Sequence, residues 1–255
     1  MIVELNGIVI RTIDLTGSDQ LLTLYTAEKG LMTAIAKGSK SWLNKAMVGA
    51  QLFCYSRFLL YRRGDKYWIK EAEILEHFYG VRQDITRTAL ASYVCDVVGE
   101  IGTNQADIPL LRLTLNTLFA ISQGAYTLAL IKAAFEWRVA AIMGVMPDVD
   151  GCDLCGREEG DFLLYVMDGV LVCNECREER EWQPPQEGER RVVELIPPGV
   201  LSAVRYVLHC PLEKLFSFRL KGDEVDLFYR AAESYLTNHV ERGFKSLTFY
   251  HQVKD

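Results

Sequence analysis

The chain has 255 residues, 49% of them hydrophobic and 24% charged, enough apolar material for one large core or two modest ones. Its formal net charge of −6 argues against a nucleic-acid binder unless a local basic surface overrules it. No secretory signal or membrane span is expected, because Met1-Ile2-Val3-Glu4 has no basic segment ahead of an apolar run, and the most apolar helical stretch, Leu128 to Met146, is interrupted by Lys132, Glu136 and Arg138.

The first eighty or so residues read as strands. Leu5 to Leu15 is rich in β-branched residues, and Thr16-Gly17-Ser18-Asp19 is a turn. Leu21 to Thr26 and Leu31 to Ala36 are strands around a tight turn at Glu28-Lys29-Gly30. A polar, basic loop spans Lys37 to Lys45. A long strand then runs through Phe53, Tyr55, Phe58 and Leu60, turns at Arg62-Arg63-Gly64-Asp65, and returns over Tyr67 to Leu75. Five successive strands with almost no helix suit a small closed barrel of the OB-fold type.

From Asp84 the apolar period changes from two to 3.6. Asp84 to Gly102, with Asp84 as N-cap, Ile108 to Ile121 and Tyr126 to Met143 are apolar helices that must bury against other elements. Glu181 to Pro198, rich in proline and charge, reads as a linker, and Gly199 to His209 and Glu224 to Glu241 as two further helices. The expected architecture is α+β: an OB-fold barrel over residues 1–80, then a helical domain over 81–255 that carries a metal module at about 148–182.

That module rests on Cys152-Asp-Leu-Cys155-Gly156 and Cys173-Asn-Glu-Cys176, two Cys-x2-Cys pairs separated by seventeen residues. Each pair points two sulfurs the same way, and four thiolates can converge on one ion at about 2.3 Å. Gly156 lets the first knuckle turn with φ > 0. Between the pairs, Asp161 to Val166 and Gly169 to Val172 form a hairpin around Met167-Asp168-Gly169, the pattern of a zinc ribbon. The alternatives are two disulfides or four unrelated thiols. Seven cysteines without a secretory signal suit a reducing cytosol, where paired Cys-x2-Cys favours a metal, and four ligands leave no open position, so one structural Zn2+ is expected. Cys54, Cys95 and Cys210 sit among apolar neighbours as core thiols.

The second informative stretch is the loop in which Lys37, Lys40 and Lys45 alternate with Gly, Ser and Asn around Trp42. Lysines neutralise phosphates and an indole stacks on a base. Arg62, Arg63 and Lys66, on another turn, could flank the same groove; the alternative is a solvated loop. Lys37-Gly38-Ser39 lacks the Gly-x4-Gly-Lys-Ser/Thr order of a nucleotide phosphate loop. Asp148, Asp150 and Asp153 fail the calcium-loop spacing. Glu71, Glu73 and Glu76 alternate as an outer strand face, and the four histidines are scattered, so no catalytic constellation emerges and the chain is not expected to be an enzyme.

Several stretches together resemble the bacterial recombination mediator family RecO. They are Gly7-Ile8-Val9-Ile10-Arg11-Thr12 with Ser18-Asp19, Leu24-Tyr25-Thr26 through Gly30 to Ala36-Lys37-Gly38, Phe135-Glu136-Trp137-Arg138 through Gly144 and Pro147-Asp148 into the first knuckle, and Tyr235-Leu236 through Lys245-Ser246-Leu247. The resemblance runs nearly end to end, and order and spacing carry it. One departure is Ser39-Lys40-Ser41-Trp42, where the family often has a denser Arg/Lys run. The resemblance implies an OB-fold, a helical domain and a zinc module. It also implies a role in DNA repair and recombination: binding single- and double-stranded DNA, annealing complementary strands, and loading recombinase together with RecR onto strands coated by single-stranded DNA-binding protein. A cytoplasmic, nucleoid-associated location follows from it. The coating protein's acidic C-terminal tail would need cations beside apolar faces, for which Arg112, Lys132 and Arg138 are candidates; the alternative is ordinary snorkelling. The rival function from another class is a scaffold whose ribbon and helices dock proteins and whose barrel carries no DNA.

Overall fold

In the computed structural model, which describes residues 2–41, 44–177 and 191–254, five strands close into a barrel. They are β1 (Ile2–Asp14), β2 (Gln20–Thr26), β3 (Gly30–Ala36), β4 (Tyr55–Arg63) and β5 (Lys66–Glu76). Their hydrogen-bonded order is β1-β2-β3-β5-β4, closed by β4 on β1, and β3 with β5 is the parallel pair. This is the OB-fold order expected from five consecutive strands.

One long strand makes closure possible. β1 pairs with β4 over Ile2–Ile8 and with β2 over Gly7–Asp14, and its register shifts between Val9 and Arg11. At the handover, a Cβ on Gly7 would lie 2.8 Å from Thr26 Cγ2, so the glycine permits the close crossing. Alternate residues point inward. Leu5, Val9, Leu22, Leu24, Ala34, Ala36, Phe58, Leu60, Ile69 and Ala72 form the core, joined by Met47 and Ala50. Those last two come from a 3-10 turn at Lys45–Ala50, where the sequence reading had loop and early strand. Phe53 is likewise outside β4: it sits in the left-handed region at φ 66°, and the strand starts two residues later.

The contacts divide the chain into two compact units, Met1–Gly124 with Phe244–Asp255, and Ala125–Gly243. The change from strand to helix near residue 80 is a change of local pattern, whereas this division is one of packing. The first unit adds α1 (Ile85–Ile101) and α2 (Ile108–Gln123) to the barrel. Each starts on an aspartate: Asp84 accepts from the Arg87 amide at 2.9 Å and Asp107 from the Leu110 amide at 3.0 Å, satisfying otherwise orphaned donors. The loop after α1 lies against the β2–β3 turn. There the Leu31 amide donates to the Thr103 carbonyl, and a Cβ on Gly30 (φ 62°) would come within 2.2 Å of the carbonyls of Thr103 and Gln105.

The second unit holds α3 (Leu128–Ile142), a sheet of β6 (Asp148–Cys152), β7 (Phe162–Tyr165), β8 (Val170–Cys173) and β9 (Val193–Ile196), then α4 (Pro198–His209) and α5 (Glu224–Val240). Sheet order is β6-β8-β7-β9, so the expected ribbon hairpin β7–β8 is the centre of a four-stranded sheet. The linker reading of 181–198 is corrected in part: Val193–Ile196 pairs antiparallel with β7 and α4 starts at Pro198, while 181–190 lie outside the described residues. A four-residue edge strand beside prolines carries too little alternation to be seen in sequence. α3 packs against α4 and α5 and is buried nearly all round, as its apolar composition requires. The C-terminal stretch is two helices. Glu241 breaks α5 at φ 53°, and the chain rejoins the first unit as α6 (Lys245–Val253), which packs on α1 and is tied by Thr86 Oγ1 donating to the Val253 carbonyl at 3.0 Å. No helix among the described residues is long and apolar enough to cross a membrane.

Candidate metal centre and nucleic-acid interface

The two knuckles meet at one end of the β6–β8–β7 sheet. Cys152 ends β6 and Cys173 ends β8, which places both side chains in the interior, while Cys155 and Cys176 lie on the turns that follow. In the first knuckle, Gly156 at φ 71° returns its amide to the Cys152 carbonyl at 2.8 Å; in the second, the Cys176 amide donates to the Cys173 carbonyl at 3.1 Å. All four sulfurs lie within 4.8 Å of one another, and Cys155 Sγ is 3.8 Å from Cys173 Sγ. Thiolates set tetrahedrally about 2.3 Å from one ion stand about 3.8 Å apart, so the cluster is of the right size to hold a metal ion.

The electrostatics agree with that role. Burial would raise the Cys152 thiol, but amides of Cys173, Cys155 and Leu154 donate toward its sulfur and bring it down to about 6. Cys176 moves the other way, because hydrogen bonds with Cys155 and Cys173 hold its proton. Four adjacent thiols cannot all ionise unless a cation compensates them. Arg157 and Glu175, one from each knuckle, close the exposed side with a two-pronged ion pair, 2.7 Å from Arg157 Nη1 to Glu175 Oε1. From α4, Arg205 donates to the carbonyls of Val149 and Asp150, both at 2.7 Å, and of Glu158 at 3.2 Å, so it fixes the strand that delivers Cys152.

On the barrel, the β3–β4 connection and the β1–β2 turn are laced together. The Gly38 amide donates to Asp19 Oδ1 at 2.9 Å, Ser39 Oγ bonds Gln20 Oε1, and the Lys40 amide donates to the Ser18 carbonyl. Lys40 Nζ also meets Asp14 at 3.2 Å; hydrogen bonds from Gln20 first and then Lys40 hold that carboxyl below its usual range. Lys37 is exposed, its ammonium 4.9 Å from the centre of the Trp68 ring. Trp42 and the Lys45 side chain lie outside the described residues.

The β4–β5 hairpin turns at Gly64-Asp65 and pairs Arg63 with Lys66, Arg62 with Tyr67 and Tyr61 with Trp68. Arg62 reaches Asp65 at 3.6 Å and donates to the Gly64 carbonyl at 3.0 Å. Its guanidinium also stands 6.0 Å from the Tyr67 ring centre, on which Lys29 sits as well, donating to the phenol oxygen at 3.0 Å. That bond is the main reason the Tyr67 hydroxyl titrates lower than usual. Among the described residues no carboxylate pairs with Lys37, Arg63 or Lys66. Sequence reading missed Lys29, Tyr61, Tyr67 and Trp68 here, although a turn at Gly64-Asp65 sets the register that places Tyr61 beside Trp68.

The three expected tail-binding cations have separate fates. Arg112 is exposed on α2. Arg138 is half-buried on α3, donating to the Cys210 carbonyl. Lys132 is not on a rim at all. It is fully buried, 2.6 Å from Glu136 and 2.7 Å from Glu233, with its ammonium 4.1 Å from the Tyr229 ring centre. Reading Lys132 as a surface cation is therefore corrected: α3 is covered on that side by α5, which supplies Glu233.

Comparison with known proteins covers nearly the whole chain. Residues 1–78 match the family described as recombination protein O N terminal, and residues 82–248 match recombination protein O C terminal. The chain is 29% identical to the DNA repair protein RecO of Acetivibrio thermocellus over 246 residues, 96% of this chain and 94% of the relative. It is 25% identical to that of Listeria monocytogenes over 97% of this chain and 93% of the relative. Identity to that of Caldanaerobacter subterraneus is 22%, over 98% and 97%.

Proposed function

The chain belongs to the recombination protein O family of DNA repair and recombination, and on that premise we propose that it binds DNA and makes or breaks no bonds. In this reading it holds single- and double-stranded DNA, anneals complementary strands, and with RecR helps load recombinase onto strands coated by single-stranded DNA-binding protein. The observation that carries it is the set Lys37, Arg63 and Lys66, exposed on an OB-type barrel without carboxylate partners among the described residues, in a chain whose net charge is −6. Annealing needs a surface that neutralises phosphates while leaving base edges open, which is what a short row of cations provides.

The four-cysteine cluster completes the proposal as a closed, structural Zn2+ site. All four positions of a tetrahedron are thiolates, so the metal would hold the knuckles and offer no site to a substrate. The acidic tail of the coating protein is the proposed protein partner, and Arg112, exposed on α2, is the first candidate to meet it.

Fluorescence-followed annealing of complementary oligonucleotides tests the reading. The triple variant Lys37→Ala, Arg63→Ala, Lys66→Ala is expected to anneal on the order of tenfold more slowly at low salt. Equal rates would move the DNA surface elsewhere, and no annealing by the native chain would leave the scaffold reading.

A further inference from the structure

The outer face of the barrel hairpin carries an aromatic pair that the core does not use. Tyr67 packs against the barrel core and Ile69 belongs to it, so Trp68 between them points outward. Its cross-strand partner is Tyr61, 37% exposed, and the two rings lie 12° from parallel with centres 6.3 Å apart. Further along β5, Lys70, Glu71 and Glu73 are exposed and solvated, and Ile74 and Leu75 near the end of the strand are exposed as well. What sets the two rings apart from those aliphatic side chains is that they pair across the strands with nearly parallel planes. Near them stand cations: Lys37, whose ammonium lies over the indole, and the cross-strand pair Arg63 and Lys66, each two residues along its strand on the same face.

We propose that Tyr61 and Trp68 form a stacking platform for unpaired nucleobases, with Lys37 as its movable cap. This rests on the DNA-binding reading and deepens it by assigning the bases a site separate from the phosphates. The tyrosine ring backs the indole in a stack, and any base has a π-face to lay on the indole where Lys37 now sits, so the contact is indifferent to sequence. An ammonium over an exposed ring is held more weakly than a stacked base. An arriving base therefore takes the indole face, and Lys37, which has no carboxylate partner among the described residues, swings to the adjoining phosphate. Duplex DNA, whose bases are already stacked, gains nothing from such a platform. The platform would thus favour single strands on a barrel whose cations alone attract both forms.

The test measures binding of the full chain to two probes of equal length and charge, a thymidine oligonucleotide and an abasic one. Native protein should bind the thymidine strand more tightly. Trp68→Ala should weaken that binding about tenfold, leave abasic binding unchanged, and keep the dependence of log K on log salt, since no phosphate contact is lost. Trp68→Phe, which keeps a ring on the strand, should retain part of the preference and controls for folding. Equal loss on both probes, or no loss on either, overturns the platform while leaving DNA binding intact. Failure of the native chain to bind either probe overturns the DNA reading and the platform with it.

Discussion

Lys132 offers the sharpest test of the packing of the second unit. Its side chain and that of Glu136 are both fully buried, and its ammonium lies 2.6 Å from Glu136 and 2.7 Å from Glu233, whose side chain is 23% exposed. Replacing it by Met keeps most of the volume and removes the charge that two carboxylates share. Breaking a buried pair from one side costs about 3–5 kcal/mol, on the order of 10–20 °C in the unfolding of a unit this size. The pair as a whole contributes far less, because burying both charges had already cost much of their attraction. The triple variant Lys132→Met, Glu136→Gln, Glu233→Gln should therefore recover more than half of the loss. Thermal and urea unfolding followed by circular dichroism measures both, with each unit's transition fitted separately. A Lys132→Met variant within about 1 kcal/mol of native would mean that Glu136 is not held desolvated against this ammonium, since a desolvated carboxylate cannot lose its partner at so small a cost. A Lys132→Glu variant, natural as a probe of partner docking, would report the same folding defect instead.

Metal analysis of the purified chain should find one zinc per molecule, and Cys155→Ser should lose it and free the remaining thiols to alkylation; four reactive thiols and no metal in the native chain would contradict the site. Gly30→Ala should destabilise the first unit by at least about 2 kcal/mol, because φ is positive and two carbonyls stand where the methyl must go; an unfolding midpoint equal to native would contradict that contact. Arg205→Ala should lower metal retention under chelator challenge without touching a ligand, since it removes three bonds to the β6 strand and the turn after it; unchanged retention would make Arg205 merely a surface tie.

The barrel was legible because its strands alternate cleanly and its turns carry Gly or Asp, so the five strands fall close to where the pattern places them. The metal cluster was legible because Cys-x2-Cys spacing is itself a geometry. Lys132 was not. A Lys four residues before a Glu reads as a solvated helical pair, and the fact that buries it, Glu233 on a helix 101 residues later, is tertiary. β9 was hidden for a related reason, since its four residues gain a reason to be extended only from β7 beside them. Tyr61 and Trp68 lie between these cases: the hairpin was readable, but the turn is Gly64-Asp65 alone, with Arg62 and Arg63 still in the strand, and which face each ring takes depends on the bulge near Leu59 and on Tyr67 packing inward.

On the proposed function, cations on the barrel would hold the phosphates of single-stranded DNA. The most direct measurement is the salt dependence of oligonucleotide affinity for the native chain and for Lys37→Ala, Arg63→Ala, Lys66→Ala. Each phosphate contact on a single strand contributes about 0.7 to the slope of log K against log salt, so losing three should flatten it by about 2. Parallel slopes for the two proteins would mean that these three cations do not contact phosphate, and no binding by the native chain at low salt would mean that the barrel does not hold DNA.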